Sequence, residues 1–423
     1  MRLVIYEDET YGRLYPLTYL RATFELRCGM HSAAERIAAL FPDAEVAYHA
    51  RGALAKILPQ RYPDVSVNDA ASLSGDVLLV NGRVIDRAVA AIAGETDTVW
   101  TKDGDVLAAA VSAEKAAAFY GSGSAAFLAD AAAGLNQVEV DWRTVTWPWD
   151  LVNHNADLLT KDFAAAGRDG VDGDLHANSV ILGNPNQLYI APGADVLPLV
   201  CLDCREGPIT IDEGAVVNPN TYIQGPCYIG RDTQIVGAKI REGCSIGPVC
   251  RVGGEVEESI IHGYSNKYHD GFLGHAYVGE WVNLGALTTN SDIKNDYSPV
   301  KVHAEGDFVD TGCIKVGCFI GDHTKTSIGT YFNTGTHVGL MTLLVGSGGV
   351  LPKFLPSFIW FAGGAITKGF GLNSLLETAR AAMARRKREL TAEEEELIRA
   401  VHALTDEERR AAVKKDRRKL LGR

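Results

Sequence analysis

Aliphatic residues recur every six positions through the second half of this chain, and that period restricts the fold more than any other feature. Ile211, Val217, Ile223, Ile229 and Ile235 follow one another at that spacing. After a shorter step to Ile240 the period resumes at Ile246 and Val252. It returns at Val278 and Leu284, and again at Ile314 and Ile320. Six residues match neither the roughly 3.6-residue turn of an α-helix nor the two-residue alternation of a plain strand. They fit a three-sided coil of short strands, in which each side contributes one inward aliphatic and each corner a turn. Gly214, Gly225, Gly230, Gly237, Gly243 and Gly247, with Asn and Asp nearby, supply the turn chemistry. Strands of a sandwich would vary in spacing. The fixed period therefore predicts a left-handed parallel β-helix over residues 185–350, within a domain spanning 181–370.

Ahead of the coil, residues 1–150 alternate apolar runs with helical stretches. LVIY (3–6), EVAYH (45–49), DVLLVNG (76–82) and DTVWT (97–101) read as strands. SAAERIAALF (32–41), with Ser32 as N-cap, reads as a helix, as do the Ala-rich stretches 112–121 and 124–134. Such alternation predicts βαβ units, an α/β domain with a mainly parallel sheet and a ligand site beyond the carboxyl ends of its strands. WPWDLVNHNADLLTKDFAAAG (147–167) opens with a Pro-aromatic corner and continues as an amphipathic helix, giving a linker over 151–180.

The tail, 371–423, is helical and highly charged. Thr391 and Thr405 each precede glutamates in the manner of a capping box. Its basic clusters, Arg385–Arg388 and Lys414–Lys419, are interleaved with acids and read as a solvated helical face packing on a neighbouring subunit. The formal charge of −12 argues against a nucleic-acid partner, because phosphate neutralisation needs a basic field. No apolar stretch approaches the roughly 20 residues of a membrane helix, and the start lacks a signal-peptide pattern, so a cytoplasmic protein is expected. Cys201 and Cys204 form a C-x-x-C, but no second pair completes a zinc spacing; the cysteines read as small residues filling a narrow coil.

Polar residues concentrate where the repeat is least regular, in NKYHDGFLGHAYVGEWVNLGALTTNSDIKNDY (266–297). A coil that had only to fold would not carry them, since a polar group buried without a partner costs free energy. Acyl transfer to an amine needs a base of near-neutral pKa, an oriented donor for the oxyanion and cations for any phosphate. His269, Asn290, Lys267, Lys294 and Arg251 have the side chains for those tasks.

GPVCRVGGEVEESII leading into NKYHDGFLGHAYVGEWVNLGA resembles the acetyltransferase domain of the bifunctional enzymes that make UDP-N-acetylglucosamine, and an alternative bacterial branch of that family more closely. PLTYLRATFELRCG (16–29) resembles that branch's sugar nucleotidyltransferase domain. The resemblance implies two activities: acetyl transfer from acetyl-CoA to glucosamine 1-phosphate, and uridylyl transfer from UTP with Mg2+. It implies His269 as general base and Asn290, or Asn295, as the family's asparagine. Arg251, Lys267, Lys294 and Asn283 would contact the sugar phosphate, and Phe272 stands where the better-known branch has a tyrosine. In the first domain the family's glycine-rich loop is missing. Arg21, Arg27, Gly29 and Asn81 are the nucleotide-binding candidates, and Asn81 with Asp150 or Asn153 the metal candidates. Ala22 stands where the branch has proline. A homotrimer with the acyl site between subunits is the family's implied assembly.

Two alternatives stay open: another sugar 1-phosphate or nucleotide, or an inactive first domain; and a trimeric β-helical metal protein or scaffold. Against the metal protein, His262, His269 and His275 are spaced for different faces.

Overall fold

The computed structural model describes residues 2–115, 134–346 and 348–420. Of the expected Ala-rich helices over 112–121 and 124–134, the part within 116–133 falls outside the described residues. The chain divides into two compact units. The first holds Met1–Leu14, Leu20–Leu26 and His31–Trp147; the second holds Tyr15–Tyr19, Arg27–Met30 and Pro148–Arg423.

The first unit is built on a seven-stranded sheet. Its strands in chain order are β1 (Arg2–Tyr6), β2 (Glu45–His49), β3 (Ser66–Val67), β4 (Val77–Asn81), β5 (Thr98–Lys102), β6 (Asp105–Val111) and β7 (Asn136–Glu139). In space they run β3-β2-β1-β4-β6-β5-β7. The first four are mutually parallel, whereas β6 is antiparallel to both β4 and β5. Val4, Ile5, Leu78, Leu79 and Val80 are buried, as strands covered on both faces require. Helix α1 (Ala33–Leu40) starts at the expected Ser32, whose hydroxyl accepts the Glu35 N–H while Glu35 returns a bond to the Ser32 N–H. The chain leaves β1 to one side for β2 and β3 and to the other for β4. The carboxyl ends of β1 and β4 therefore flank a crevice at which the topology reverses.

The second unit is the coil. Side one is a ten-stranded parallel ribbon that begins at Gly170–Val171 and passes through Ile209–Ile211, Cys227–Ile229, Cys244–Ile246, Ile260–Gly263 and Tyr277–Glu280 to Phe354–Leu355. Ile211 lies in register beside Ile229, three hexapeptides further along, and Ile320 beside Val338. Two other sides stack in the same way, with Arg251, Asn266–Lys267 and Lys325–Thr326 on the second and Tyr222–Gln224, Phe272–Gly274 and Tyr331–Phe332 on the third. The repeat aliphatics from Ile211 to Leu284 form one continuous core with Cys204, Cys227, Cys244, Cys250 and Cys318. Ile314 is an exception to the expected repeat. It is 48% exposed, because residues 293–315, after the Thr289–Asn290 rung that pairs with Tyr331–Phe332, leave the coil and include an antiparallel hairpin, Lys301–Ala304 with Asp307–Asp310.

The glycines divide by task. The corner from side one to side two takes one left-handed residue per turn of the coil, Gly214 at φ 68° and then Asp232, Val249, Tyr264 and Trp281, so this corner does not require glycine. Gly225, Gly230 and Gly247 are not left-handed. They are where adjacent coils touch: a Cβ on Gly247 would lie 1.9 Å from the His262 carbonyl oxygen. Those three positions need an absent side chain, not a turn.

Helix α2 (Pro148–Ala166) lies against the coil and carries two buried polar side chains. Asn155 accepts the Gly29 N–H at 2.7 Å and donates to the Gly243 carbonyl at 2.8 Å, and Asp162 accepts the Met30 N–H at 3.0 Å. The tail forms α3 (Leu372–Ala384), α4 (Ala392–Leu404) and α5 (Asp406–Leu420). Thr391 closes the expected capping box with Glu394, but the Thr405 hydroxyl donates to the Val401 carbonyl and so finishes α4. Ala412 and Val413 pack on the coil's own core, and Asp416 accepts the Ile366 N–H at 2.9 Å. This tail therefore covers the end of its own coil. No described helix is long and apolar enough to cross a membrane.

Candidate functional site

Side two of the coil carries an outward ladder. Arg251 pairs with Asn266 in parallel register, Asn266 with Asn283, and Asn283 with Lys325. Alternation then turns their neighbours Val252, Lys267 and Leu284 inward, and all three are buried. Beside this ladder lies a groove of about 460 Å³, lined by Arg251, Asn266, Tyr268, His269, Asn283 and the segment Leu284–Ala286, and by Ile328, Arg385 and Arg386. His269 is exposed there, its ring set edge-on to Tyr268 at 5.1 Å. Asn266 donates to Asn283 Oδ1 at 3.2 Å and accepts from Arg386 Nη2 at 2.9 Å. Nη1 of Arg251 and Nε of Arg386 are both buried without an acceptor.

Of the expected acyl-site residues, the groove gathers His269, Arg251 and Asn283. The other three have tasks elsewhere. Lys267 points into the coil, donating to the carbonyls of Gly253 at 2.7 Å and His269 at 3.2 Å, so it anchors the backbone of the histidine instead of facing a ligand. Burial pushes its pKa down to about 8. Asn290 is 3% exposed, and its amide accepts from the Gly274 N–H and donates to the carbonyls of Gly274 and Ser291. Lys294 donates to Ser298 Oγ and to the Pro299 carbonyl within the segment outside the coil. Asn266, Arg385 and Arg386 lie outside the expected set. Asn266 follows from the register of the ladder, whereas the two arginines belong to the basic cluster Arg385–Arg388, whose charge pattern reads as a solvated helical face.

The remaining histidines of this block have separate partners. His262 meets the Tyr277 hydroxyl at 2.9 Å, and His275 Nδ1 meets Asp292 at 2.9 Å. Among the described residues no group of three or more His, Cys, Asp or Glu could hold a metal.

In the first unit, the crevice between β1 and β4 is lined by the residues that follow those strands. Asp8 Oδ2 accepts from Arg83 Nη2 at 2.7 Å and from Asn81 Nδ2 at 2.7 Å; Asp8 Oδ1 accepts from the Thr10 N–H at 3.0 Å. Asp105 joins the same guanidinium at 2.8 Å. Burial opposes the ionisation of Asp8, but the Arg83 charge with the Thr10 and Asn81 bonds outweighs it and holds the carboxyl below its usual range. Glu7 pairs with Arg51 at 2.6 Å; its pKa is raised because burial outweighs that pairing. Arg21 is buried, with its carbonyl accepting from Arg51 at 3.2 Å.

These donors do not fit the expected magnesium. Asn81 is 0% exposed and its side-chain oxygen accepts the Arg83 N–H at 2.9 Å, while the nearest carboxylates are neutralised by a guanidinium. Asp150 belongs to the second unit, where it sits in the first turn of α2. Arg27 and Gly29 also belong to that unit: the Arg27 N–H donates to the Tyr277 hydroxyl, and the Gly29 carbonyl accepts from Ser245 at 2.5 Å. The four expected nucleotide-binding residues are thus divided, with Arg21 and Asn81 in one unit and Arg27 and Gly29 in the other.

Comparison with known proteins adds the following. Residues 3–169 match the family model described as sugar nucleotidyl transferase. A bifunctional sugar-1-phosphate nucleotidylyltransferase/acetyltransferase of Sulfurisphaera tokodaii is 33% identical over 145 residues, covering 32% of this chain and 34% of that protein. The bifunctional protein GlmU of Methanocaldococcus jannaschii is 31% identical over 206 residues, covering 47% of this chain and 42% of its own length. The matched stretches thus span less than half of these relatives. Among solved structures, the polySia-specific acetyltransferase NeuO aligns with 46% of this chain and 87% of its own, at a TM-score of 0.26 and 10% identity.

Proposed function

We propose that the coil transfers an acetyl group from acetyl-CoA to the amine of glucosamine 1-phosphate, with His269 as general base. The observation that carries this is the groove itself, an exposed imidazole beside Arg251, Asn266 and Asn283. The relatives support the same pair of chemistries by their names. His269 would take the proton of the ammonium, freeing a lone pair to attack the thioester carbonyl. The tetrahedral oxyanion would accept from the Asn283 Nδ2, whose own oxygen is already engaged by Asn266. Collapse expels the CoA thiolate, which takes a proton as the amide forms.

For the first unit we propose uridylyl transfer from UTP to the acetylated sugar phosphate at the crevice between β1 and β4. The match over residues 3–169 supports that assignment. The arginine-bound acids favour a second reading, in which this unit binds without transferring. No step is assigned to magnesium, because Asn81 and Asp8 are already committed to Arg83. The proposed assembly is a homotrimer of the coil, in the cytoplasm where these substrates are made.

Mixing the protein with acetyl-CoA and glucosamine 1-phosphate should release free thiol, and no release above a sugar-free control would remove the acetyltransferase assignment. His269→Ala should lose about a hundredfold or more in rate with an unchanged melting temperature. Full activity in that variant would move the base elsewhere. Pyrophosphate release from a panel of nucleoside triphosphates and sugar phosphates separates the two readings of the first unit, and light scattering tests the trimer.

A further inference from the structure

The groove beside His269 holds three guanidinium groups, from Arg251, Arg385 and Arg386, and among the described residues no acidic side chain lines it. Arg251 belongs to the coil. Arg385 is the C-cap of helix α3 and Arg386 follows it, so two of the three cations come from the tail. Their closeness is unfavourable. Burial, then the charges of Arg251 and Arg385, lower the pKa of Arg386. Among the described residues, the side-chain acceptor for Arg386 in this groove is the neutral oxygen of Asn266, at 2.9 Å. Nε of Arg386 and Nη1 of Arg251 are sealed from water with no acceptor. Structural arginines on this chain behave differently: Arg83 meets two carboxylates and Arg51 meets Glu7. Cations left unpaired in a cavity large enough for a ligand are satisfied by a ligand that brings negative oxygens. A second cavity of about 310 Å³ shares Asn266, Asn283, Arg385 and Arg386 and adds Lys325, again with no acid in its lining.

We propose that the tail helix α3 forms part of the ligand site, with Arg385 and Arg386 joining Arg251 to bind a phosphoryl group in the His269 groove. A tetrahedral phosphoryl oxyanion accepts several N–H bonds at once, and guanidinium forks supply them in pairs. Which phosphoryl group is bound rests on the acetyl-transfer reading, which offers two sources: the acceptor sugar phosphate and the phosphates of the acyl carrier. The tail is then a working wall of the site and more than a cover for the last coil.

The test uses the full chain and its R386Q, R385Q and R386K variants. Calorimetric titration with inorganic phosphate and pyrophosphate reads the clamp without any turnover. R386Q and R385Q should weaken binding by about tenfold or more, with R386K intermediate because it keeps the charge and loses the fork. Acetyl transfer then distinguishes the sources. A fall of about tenfold to a hundredfold in the kcat/KM ratio of glucosamine 1-phosphate over glucosamine assigns the sugar phosphate. The same fall for acetyl-CoA over acetyl-pantetheine assigns the carrier. Arg385 is exposed, so R385Q reports even if R386Q fails to fold. Wild-type protein that binds phosphate but transfers no acetyl group would sink the acetyl-transfer reading and leave the clamp standing. Phosphate affinities and both ratios unchanged in R385Q and R386Q would overturn the clamp.

Discussion

Lys267 offers a sharp test of the coil's electrostatics. It occupies an inward position in register with Val252, is 3% exposed, and gives its ammonium protons to the carbonyls of Gly253 and His269. Burial lowers its pKa from 10.5 to about 8, against the smaller opposing pull of Asp270 and Glu255. The folded chain therefore holds this proton less tightly than the unfolded one. Between about pH 8 and 10.5 the unfolded chain keeps the proton that the folded chain has released, so stability rises with pH across that window. Below about pH 8 both states are charged and the burial cost is carried in full. The gap between the two pKa values corresponds to about 3 kcal/mol. Lys267→Met removes the charge, keeps most of the volume and leaves two carbonyls without this donor, at roughly 1–3 kcal/mol each. Denaturant unfolding of the coil, followed for both proteins from about pH 7 to 10.5, should show the wild type gaining about 3 kcal/mol on the variant. Lys325, also lowered to about 8 by burial, is common to both proteins and cancels in the difference. A wild-type-minus-variant difference that stays flat with pH would refute the buried-ammonium account.

Three other outcomes are expected. Arg83→Met strands Asp8 and Asp105 without their shared cation and should cost the first unit about 3 kcal/mol or more by thermal melting. Because Arg83 holds the Asp8 carboxyl below its usual range, that contribution is present above about pH 4 and fades as the pH falls, so the gap between the two proteins should narrow in acid. Gly247→Ala places a Cβ against the His262 carbonyl and should destabilise the coil by about 2–3 kcal/mol or prevent its assembly, seen as a lowered unfolding midpoint. Asn155→Ala removes two buried bonds that join helix α2 to Gly29 and Gly243, and should cost about 2–4 kcal/mol in the coil's unfolding transition.

What could be read in advance follows from what a repeat encodes. Ile211 through Leu284 each had to point inward, and one-dimensional spacing is enough to say so, since every strand of the coil meets only its neighbours. Ile314 kept the spacing without the burial, because residues 293–315 leave the coil and the period there is coincidence. Two of the expected strands of the first unit, β1 and β4, are clear for a similar reason: buried parallel strands are near-continuous apolar runs. The edge strands β3 and β7 are short or partly exposed, and carry no such mark.

His269 was legible because its surrounding block breaks the repeat with polar residues. Its neighbour Lys267 looked like one more ligand contact and proved to be an internal anchor, since spacing gives the face a residue occupies and not what its ammonium meets there. Arg385 and Arg386 read as a solvated helical surface from their charges alone. Arg386 reaches Asn266 across 120 residues of sequence, and only the packing of α3 on the coil brings the two together. By itself the sequence determined the coil, its inward stack and the place where its regularity gives way to polar residues. The tertiary structure decided which cations line the groove, which lysine is buried and which acids are already paired, because charge pairing and desolvation depend on distances between residues that the chain order leaves far apart.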